Sequence, residues 1–172
     1  MRYLALVMLF AVSACLAETK VVAVSDSGFI IENTATINAL PDTVWQALVN
    51  DVDSWWPKDH SWWGDEGRFS IEPLTGGCFC ETAQNRSAQH MQIVFVEPGK
   101  LLRMSGGLGP LQGMGVYGAL DWQFTENGTK TRITLTYRVQ GFYPEGFAEL
   151  APIVAQVQGI QLQALVDFIN ND

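Results

Sequence analysis

The C-terminal part of the chain predicts one long helix with a single apolar face. Its apolar residues recur at helical spacing over residues 150–168. Pro152 falls in the first turn, where a helix tolerates proline because that backbone N–H has no intrahelical partner. An amphipathic helix is stabilised mainly by burying its apolar face against other elements. The remainder of the chain must therefore supply an apolar surface that covers this face.

The middle of the chain predicts an antiparallel sheet that supplies this surface. Apolar and polar residues alternate over 116–125 and 129–139, so each segment predicts a strand with one face toward the core and one toward water. Turn dipeptides such as Asn127-Gly128 separate the predicted strands. The other predicted strands cover residues 29–37, 68–74, 78–82, 88–97 and 101–105. With short helices beginning at Pro41, this order predicts an α+β fold in which a curved sheet wraps around the long C-terminal helix.

The N-terminus predicts export from the cytoplasm. A basic start at residues 1–2 precedes an unbroken apolar run over 4–12, and small residues follow at 13–15. This segment is too short to cross a bilayer as a helix, and its pattern is typical of a secretory signal peptide over residues 1–17.

Two routes for removing the signal peptide stay open. Residues 12–15 resemble the bacterial lipobox, in which a signal of residues 1–14 is removed and Cys15 becomes a lipidated membrane anchor. Ordinary cleavage before Glu18 would instead release the protein into the periplasm. Lipidation is slightly favoured, because only a signal motif explains a cysteine at this place.

The acidic composition argues against nucleic acid as a partner. The chain carries 18 Asp and Glu against 10 Lys and Arg, a net charge of −8, whereas a nucleic-acid-binding surface needs clustered positive charge. Hydrophobic residues make up 48% of the chain, which predicts a folded core rather than disorder.

A tryptophan-rich loop, residues 55–65, allows two interpretations. Four tryptophans fall within nine residues of it: Trp55, Trp56, Trp62 and Trp63. They could form a lid that packs on the core, with each indole N–H bonded to a carboxylate or a carbonyl. They could instead form an aromatic gate over the mouth of a cavity. The gate is favoured, because four tryptophans in one irregular loop exceed what packing requires.

Cys78 and Cys80 lie two residues apart on one predicted strand, so their thiols face the same side. A bond between them would be strained in a regular strand, where such Cα atoms lie near the upper limit for a disulfide of about 6.8 Å. A metal site shared with His90 would rest on a weak Cys-x-Cys spacing. Buried free thiols are therefore expected, with no metal and no cofactor.

Catalytic patterns are sparse. The chain shows no Ser–His–Asp spacing, no nucleophile elbow and no histidine-based metal motif. His60 and His90 are the only histidines, and neither has an evident orienting partner in the sequence. Four polar residues could project into a cavity and orient a ligand: Glu81, Arg103, Gln112 and Tyr137, although for Arg103 a solvated face of its strand is favoured. An enzyme is therefore the less favoured interpretation.

The order of elements resembles the START-like (SRPBCC, helix-grip) superfamily, in particular an exported bacterial branch similar to polyketide cyclase and ATPase-activator-type domains. The resemblance rests on residues 39–45, 55–65, 76–81, 109–115 and the C-terminal helix. It covers nearly all of a predicted domain at 28–172, after a mixed lead-in at 18–27. It implies a deep apolar cavity between sheet and helix.

The expected function is that of an exported protein that holds a small apolar or amphipathic molecule in this cavity. Gly118 and Gly159 are expected to leave room for the ligand. The expected binding residues are Trp55, Trp56, His60, Trp62, Trp63, Leu120, Trp122, Tyr137, Val157 and Gln161. Two alternatives stay open: an enzyme of the polyketide cyclase or dehydratase type, and a protein-interaction module that uses the tryptophan-rich loop.

Overall fold

The computed structural model describes residues 17–171. Cys15 and the rest of the predicted signal peptide up to residue 16 lie outside these residues. Within the described range, no helix combines the length and the apolar character needed to cross a membrane.

One antiparallel sheet of eight strands forms the main layer, in the spatial order β1-β2-β8-β7-β6-β5-β4-β3. The strands are β1 (Glu18–Ser25), β2 (Gly28–Ile37), β3 (Arg68–Ile71), β4 (Cys78–Ala83), β5 (Arg86–Glu97), β6 (Leu101–Gly106), β7 (Tyr117–Asn127) and β8 (Lys130–Gln140). The sheet therefore begins and ends on edge strands from the first half of the chain.

The helices lie on one side of the sheet. They are α1 (Pro41–Asn50), α2 (Val52–Trp55), α3 (Pro110–Gly113) and α4 (Leu150–Asn171), with two 3-10 turns at Lys58–His60 and Gly64–Glu66. Helix α4 packs against β1 and β2 and contacts α1 and α2. The predicted α+β helix-grip class is confirmed.

The C-terminal half of α4 packs into a filled core. Leu162 and Leu165 are fully buried there, as are Trp122 of β7 and Leu135 of β8 on the apolar face of the sheet. On the other face, Asp121 is paired with Arg103 and Arg138. The sheet is thus covered on one side only, as the alternation of residues in β7 and β8 predicts.

The predicted lead-in at 18–27 is corrected by the structure, because residues 18–25 form strand β1. This strand pairs with β2 from Glu18–Thr34 to Ser25–Gly28. All eight of its residues are exposed. A strand held at the edge by backbone hydrogen bonds needs no apolar alternation, and alternation was the only signal available.

Gly118 and Gly159 do not open the interior, contrary to expectation. A Cβ atom at Gly118 would lie 2.0 Å from the carbonyl oxygen of Arg138, and one at Gly159 would lie 2.5 Å from Thr19 Oγ1. Both glycines allow close contact with a neighbouring element, between strands at Gly118 and between α4 and β1 at Gly159.

The expected free thiols are also corrected, because Cys78 and Cys80 form a disulfide. Their Cα atoms lie 5.4 Å apart, well inside the range that a disulfide requires. The pairing of β4 with β5 is irregular here, since the register shifts between Phe79 and Cys80. Strand β4 therefore lacks the regular geometry on which the expectation of strain depended.

A candidate ligand-binding cavity

A cavity of about 380 Å³ lies beside the N-terminal half of α4. Its wall combines this helix with the tryptophan-rich loop, the segment around α3, and the sheet. Eighteen residues line it: Trp56, Asp59, His60, Ser61, Trp62, His90, Leu108, Gly109, Pro110, Leu111, Met114, Tyr137, Leu150, Ile153, Val154, Val157, Gln158 and Gln161. Most of them are apolar, as is usual for sites that bind small molecules.

Helix α4 contributes a stripe of side chains to the wall because residues three and four apart share a helix face. Val154 and Val157 are half-buried on this stripe, and Gln158 and Gln161 are buried. The amide oxygen Oε1 of Gln158 has no hydrogen-bond partner among the residues that the structure describes. A buried polar atom without a partner costs free energy, so a ligand donor at this place would be stabilising.

The tryptophan-rich loop divides into core and cavity residues. Trp56 and Trp62 line the cavity, and Trp62 is 48% exposed at its mouth. Trp55 packs on Trp122 in the core and donates its indole N–H to the carbonyl of Ala47 at 3.0 Å. Trp63 lies outside the lining, with the guanidinium of Arg86 over its ring.

The structure brings six of the ten predicted binding residues together on the cavity wall: Trp56, His60, Trp62, Tyr137, Val157 and Gln161. It places Trp55, Trp63, Leu120 and Trp122 outside the lining. Leu120 and Trp122 are buried in the core. Both residues belong to the hydrophobic core, where the ring of Trp55 packs edge-on against Trp122.

Tyr137 fixes one wall of the cavity. Its hydroxyl donates a hydrogen bond to the carbonyl of Gly106 at 2.8 Å and accepts one from the N–H of Leu108 at 3.1 Å. Burial raises the pKa of Tyr137 to about 12, so the phenol stays protonated. These two bonds anchor the backbone that leads into α3, which carries Leu111 into the lining.

Glu81 is a fully buried carboxylate next to the cavity. It accepts hydrogen bonds from Ser61 Oγ, from the backbone N–H of Trp62 at 3.2 Å and from that of Trp63 at 3.4 Å. Its Oε2 also lies 3.0 Å from Nε2 of His90. The carboxylate therefore ties the tryptophan-rich loop to strands β4 and β5.

His90 reaches the cavity through a β-bulge. In the pairing of β4 with β5, Phe79 faces Met91 whereas Cys80 faces Gln89, so His90 is the extra residue. A bulge changes which side of the sheet the following residues face. His90 and Met91 are consequently both buried, and the imidazole stacks 5.6 Å from the ring of Phe69.

The structure also corrects the expectation that His90 lacks an orienting partner, since Glu81 contacts its Nε2. Burial lowers the pKa of His90 below its ordinary value of 6.5, outweighing this contact. Burial alone would raise the pKa of Glu81, but its hydrogen bonds from Ser61, Trp62 and His90 lower it below its ordinary value of 4.5. At neutral pH the pair is therefore a neutral imidazole beside an ionised carboxylate.

Acidification is expected to destabilise the fold in two stages. Because both pKa values are lower in the folded protein, the unfolded chain binds more protons between the folded and the unfolded pKa of each group, and the free energy of unfolding falls as the pH drops through that interval. The first decline is expected as the pH drops below 6.5, where an unfolded His90 takes up a proton. The second is expected below 4.5, where Glu81 does so. Urea unfolding at a series of pH values measures both, and a His90→Gln variant should lack the first. A wild type that becomes more stable between these two pH values would contradict the assignment.

The other polar candidates lie elsewhere. Arg103 is on the outer face of the sheet, where its guanidinium forms two hydrogen bonds with Asp121. Gln112 is exposed and donates to the carbonyl of Gln89 at 2.8 Å. No group of three or more metal-ligating side chains occurs within residues 17–171.

A curved antiparallel sheet, one long helix and an apolar cavity between them define a helix-grip domain. The chain belongs to the polyketide cyclase/dehydrase and lipid transport family, whose model matches residues 29–168. The predicted resemblance to the SRPBCC superfamily is thereby confirmed. No curated protein matches the sequence.

Solved structures of low sequence identity share the fold. CalU16 from Micromonospora echinospora is 17% identical with a TM-score of 0.59, covering 91% of this chain and 85% of that one. Ara h 8.0201 is 15% identical with a TM-score of 0.57, covering 91% and 99%. The Aha1 dimer from Colwellia psychrerythraea is 15% identical with a TM-score of 0.56, covering 81% and 95%. Family and fold support a role in binding hydrophobic ligands or in cyclase-type chemistry.

Proposed function

We propose that this protein binds a small amphipathic molecule, with a largely apolar body, between α4 and the sheet. The observation that carries the proposal is the apolar cavity of about 380 Å³. A ligand that buries about 300 Å² of apolar surface would gain roughly 7 kcal/mol before ordering costs are subtracted. That gain is sufficient for specific binding of a molecule with few polar groups.

The polar atoms of the wall support an amphipathic ligand over a pure hydrocarbon. Gln158 is 2% exposed, and its Oε1 lacks a partner within the described residues. A hydroxyl or amide N–H of the ligand would satisfy this oxygen. Asn33, whose side chain also lacks partners, lies on β2 outside the lining and faces α4 near Gly159.

The arrangement of the tryptophans supports ligand binding over a protein-interaction module. Three of the four tryptophans are buried or half-buried, and only Trp62 is exposed. Trp62 lies at the cavity mouth rather than within a continuous exposed tryptophan surface.

We further propose that the protein acts after export, in the periplasm or anchored through Cys15, on the strength of its predicted signal peptide.

Titration with 1-methylnaphthalene tests the binding proposal through tryptophan fluorescence. A saturable change in fluorescence is expected, with a dissociation constant of about 10–100 μM, which stays within the gross gain of roughly 7 kcal/mol. The two neighbouring tryptophans supply a matched control: Trp62→Phe should remove much of the signal, whereas Trp63→Phe should retain it. Absence of saturable binding of both 1-methylnaphthalene and 1-naphthol, whose hydroxyl could donate to Gln158 Oε1, measured independently by calorimetry, would overturn the proposal.

A further inference from the structure

Both histidines of the chain line the same cavity. His90 comes from the bulge in β5, and His60 comes from the 3-10 turn that follows α2. Because of the hydrogen bond that each ring makes, His90 offers a ligand an acceptor nitrogen and His60 offers it an N–H donor. This pairing of a proton acceptor with a proton donor in an apolar cavity goes beyond what ligand binding requires.

His90 offers the lone pair of its ring nitrogen Nδ1 as a proton acceptor. The carboxylate of Glu81 only accepts hydrogen bonds, so the imidazole nitrogen 3.0 Å from it, Nε2, carries the hydrogen. In the neutral ring Nδ1 is then an acceptor, and it makes no hydrogen bond to any residue within 17–171. Because the ring is only 5% exposed yet lines the cavity, the cavity gives a ligand access to it.

His60 offers the N–H of its ring nitrogen Nε2 as a hydrogen-bond donor. Nε2 of Gln161, an amide nitrogen that only donates, lies 3.3 Å from Nδ1 of His60. That nitrogen is therefore the acceptor, and the neutral ring carries its hydrogen on Nε2. Such an N–H can stabilise negative charge that develops on a ligand oxygen.

We propose that the cavity catalyses proton shifts on small apolar carbonyl compounds, with His90 as the base and His60 as the hydrogen-bond donor to the carbonyl oxygen. This inference rests on the proposed binding function. Glu81 is the positioning residue, because it holds the tautomer of His90 and stabilises the imidazolium formed when the ring takes up a proton.

The step balances without a further reactant. The C–H bond next to the carbonyl breaks, and its proton passes to Nδ1 of His90. The electron pair forms a C=C bond while the carbonyl π electrons move to oxygen, which accepts a hydrogen bond from His60. If the hydrogen on Nδ1 is replaced from solvent before it returns to the same carbon, the result is exchange, and return of a proton to a conjugated carbon gives an isomer. Proton transfer by a positioned side chain accelerates such steps by about 10²–10⁴-fold.

Exchange of the α-hydrogens of 2-tetralone in deuterium oxide, followed by NMR, tests this proposal on the whole protein. We expect the wild type to accelerate exchange by at least about 100-fold over buffer. The His90→Gln variant keeps an amide N–H for Glu81 but has no base, and it should reduce exchange to near the buffer rate. His60→Gln should reduce it by about tenfold, and Ile160→Gln, on the exposed side of α4, should leave it unchanged.

Parallel measurement of 2-tetralone binding separates the two proposals. Retained binding with lost exchange in His90→Gln would support the catalytic role. If 2-tetralone binds the wild type but exchange does not exceed the buffer rate, or His90→Gln exchanges at the wild-type rate, the catalytic role is overturned and binding stands. If neither 2-tetralone nor 1-methylnaphthalene binds, both proposals fall.

Discussion

Replacing Glu81 by alanine is expected to lower the free energy of unfolding by about 3–5 kcal/mol, since it removes the shared acceptor of several donors and each buried donor left unsatisfied costs about 1–3 kcal/mol. The carboxylate accepts hydrogen bonds from Ser61 and from two backbone N–H groups, and it contacts His90. All of these donors would lose the buried acceptor that they share. Urea unfolding of the variant at neutral pH measures the loss.

A second glutamate provides the matched control. Glu66 also carries a salt bridge, to Arg86, but both side chains are substantially exposed. Exposed pairs contribute about 0–1 kcal/mol, so Glu66→Ala should cost no more than that. Equal losses for the two alanine variants would show that the Glu81 network does not hold the tryptophan-rich loop. If Glu81→Ala does not fold, Glu81→Gln, which keeps one acceptor oxygen, should fold with an intermediate stability.

Replacing Val157 by tryptophan is expected to weaken the binding of 1-methylnaphthalene by at least about 100-fold, or about 2.7 kcal/mol. Val157 is a half-buried residue on the cavity wall, so the larger ring would occupy the space that the ligand needs. Because that space is not filled by protein atoms, stability should change by less than about 1 kcal/mol. Calorimetric titration and thermal unfolding measure the two quantities.

Position 160 supplies the control for this variant. Ile160 is on the same helix but is 46% exposed and lies outside the lining, so Ile160→Trp should bind the probe as the wild type does. Gly118 would be unsuitable for such a test, because any side chain there would collide with the backbone of Arg138. Undiminished binding by Val157→Trp would show that the probe binds somewhere else.

The Glu81–His90 pair strengthens the enzyme alternative relative to the carrier. From the sequence, the absence of an oriented histidine favours a carrier over an enzyme. The structure supplies the orienting carboxylate at 3.0 Å and places the imidazole on the cavity wall. The proposed proton transfer depends on this pair.

Part of the site could be predicted from the sequence. Glu81 alternates with the inward-facing residues Phe79 and Ala83, so the sequence predicts a charged residue on the inner face of β4. The burial of this carboxylate among hydrogen-bond donors follows from that position. Gln158 and Gln161 interrupt the apolar stripe of α4 at helical spacing. Polar residues at apolar positions of a periodic pattern were thus the available signal, which led to Glu81 and Gln161 but not to Gln158.

The sequence by itself determined seven of the eight strands, the long helix and the sheet face that covers it, because these depend on side-chain periodicity over a few neighbouring residues. Only the tertiary structure decided the position of His90, the Cys78–Cys80 disulfide and the membership of β1 in the sheet. Each depends on how one strand pairs with another. A bulge shifts the register by one residue and reverses which side chains face inward. The sequence of a single strand does not show where such a shift occurs. The cavity likewise depends on where α4 comes to lie, since Leu162 and Leu165 of its C-terminal half are fully buried whereas its N-terminal half lines the cavity together with Tyr137.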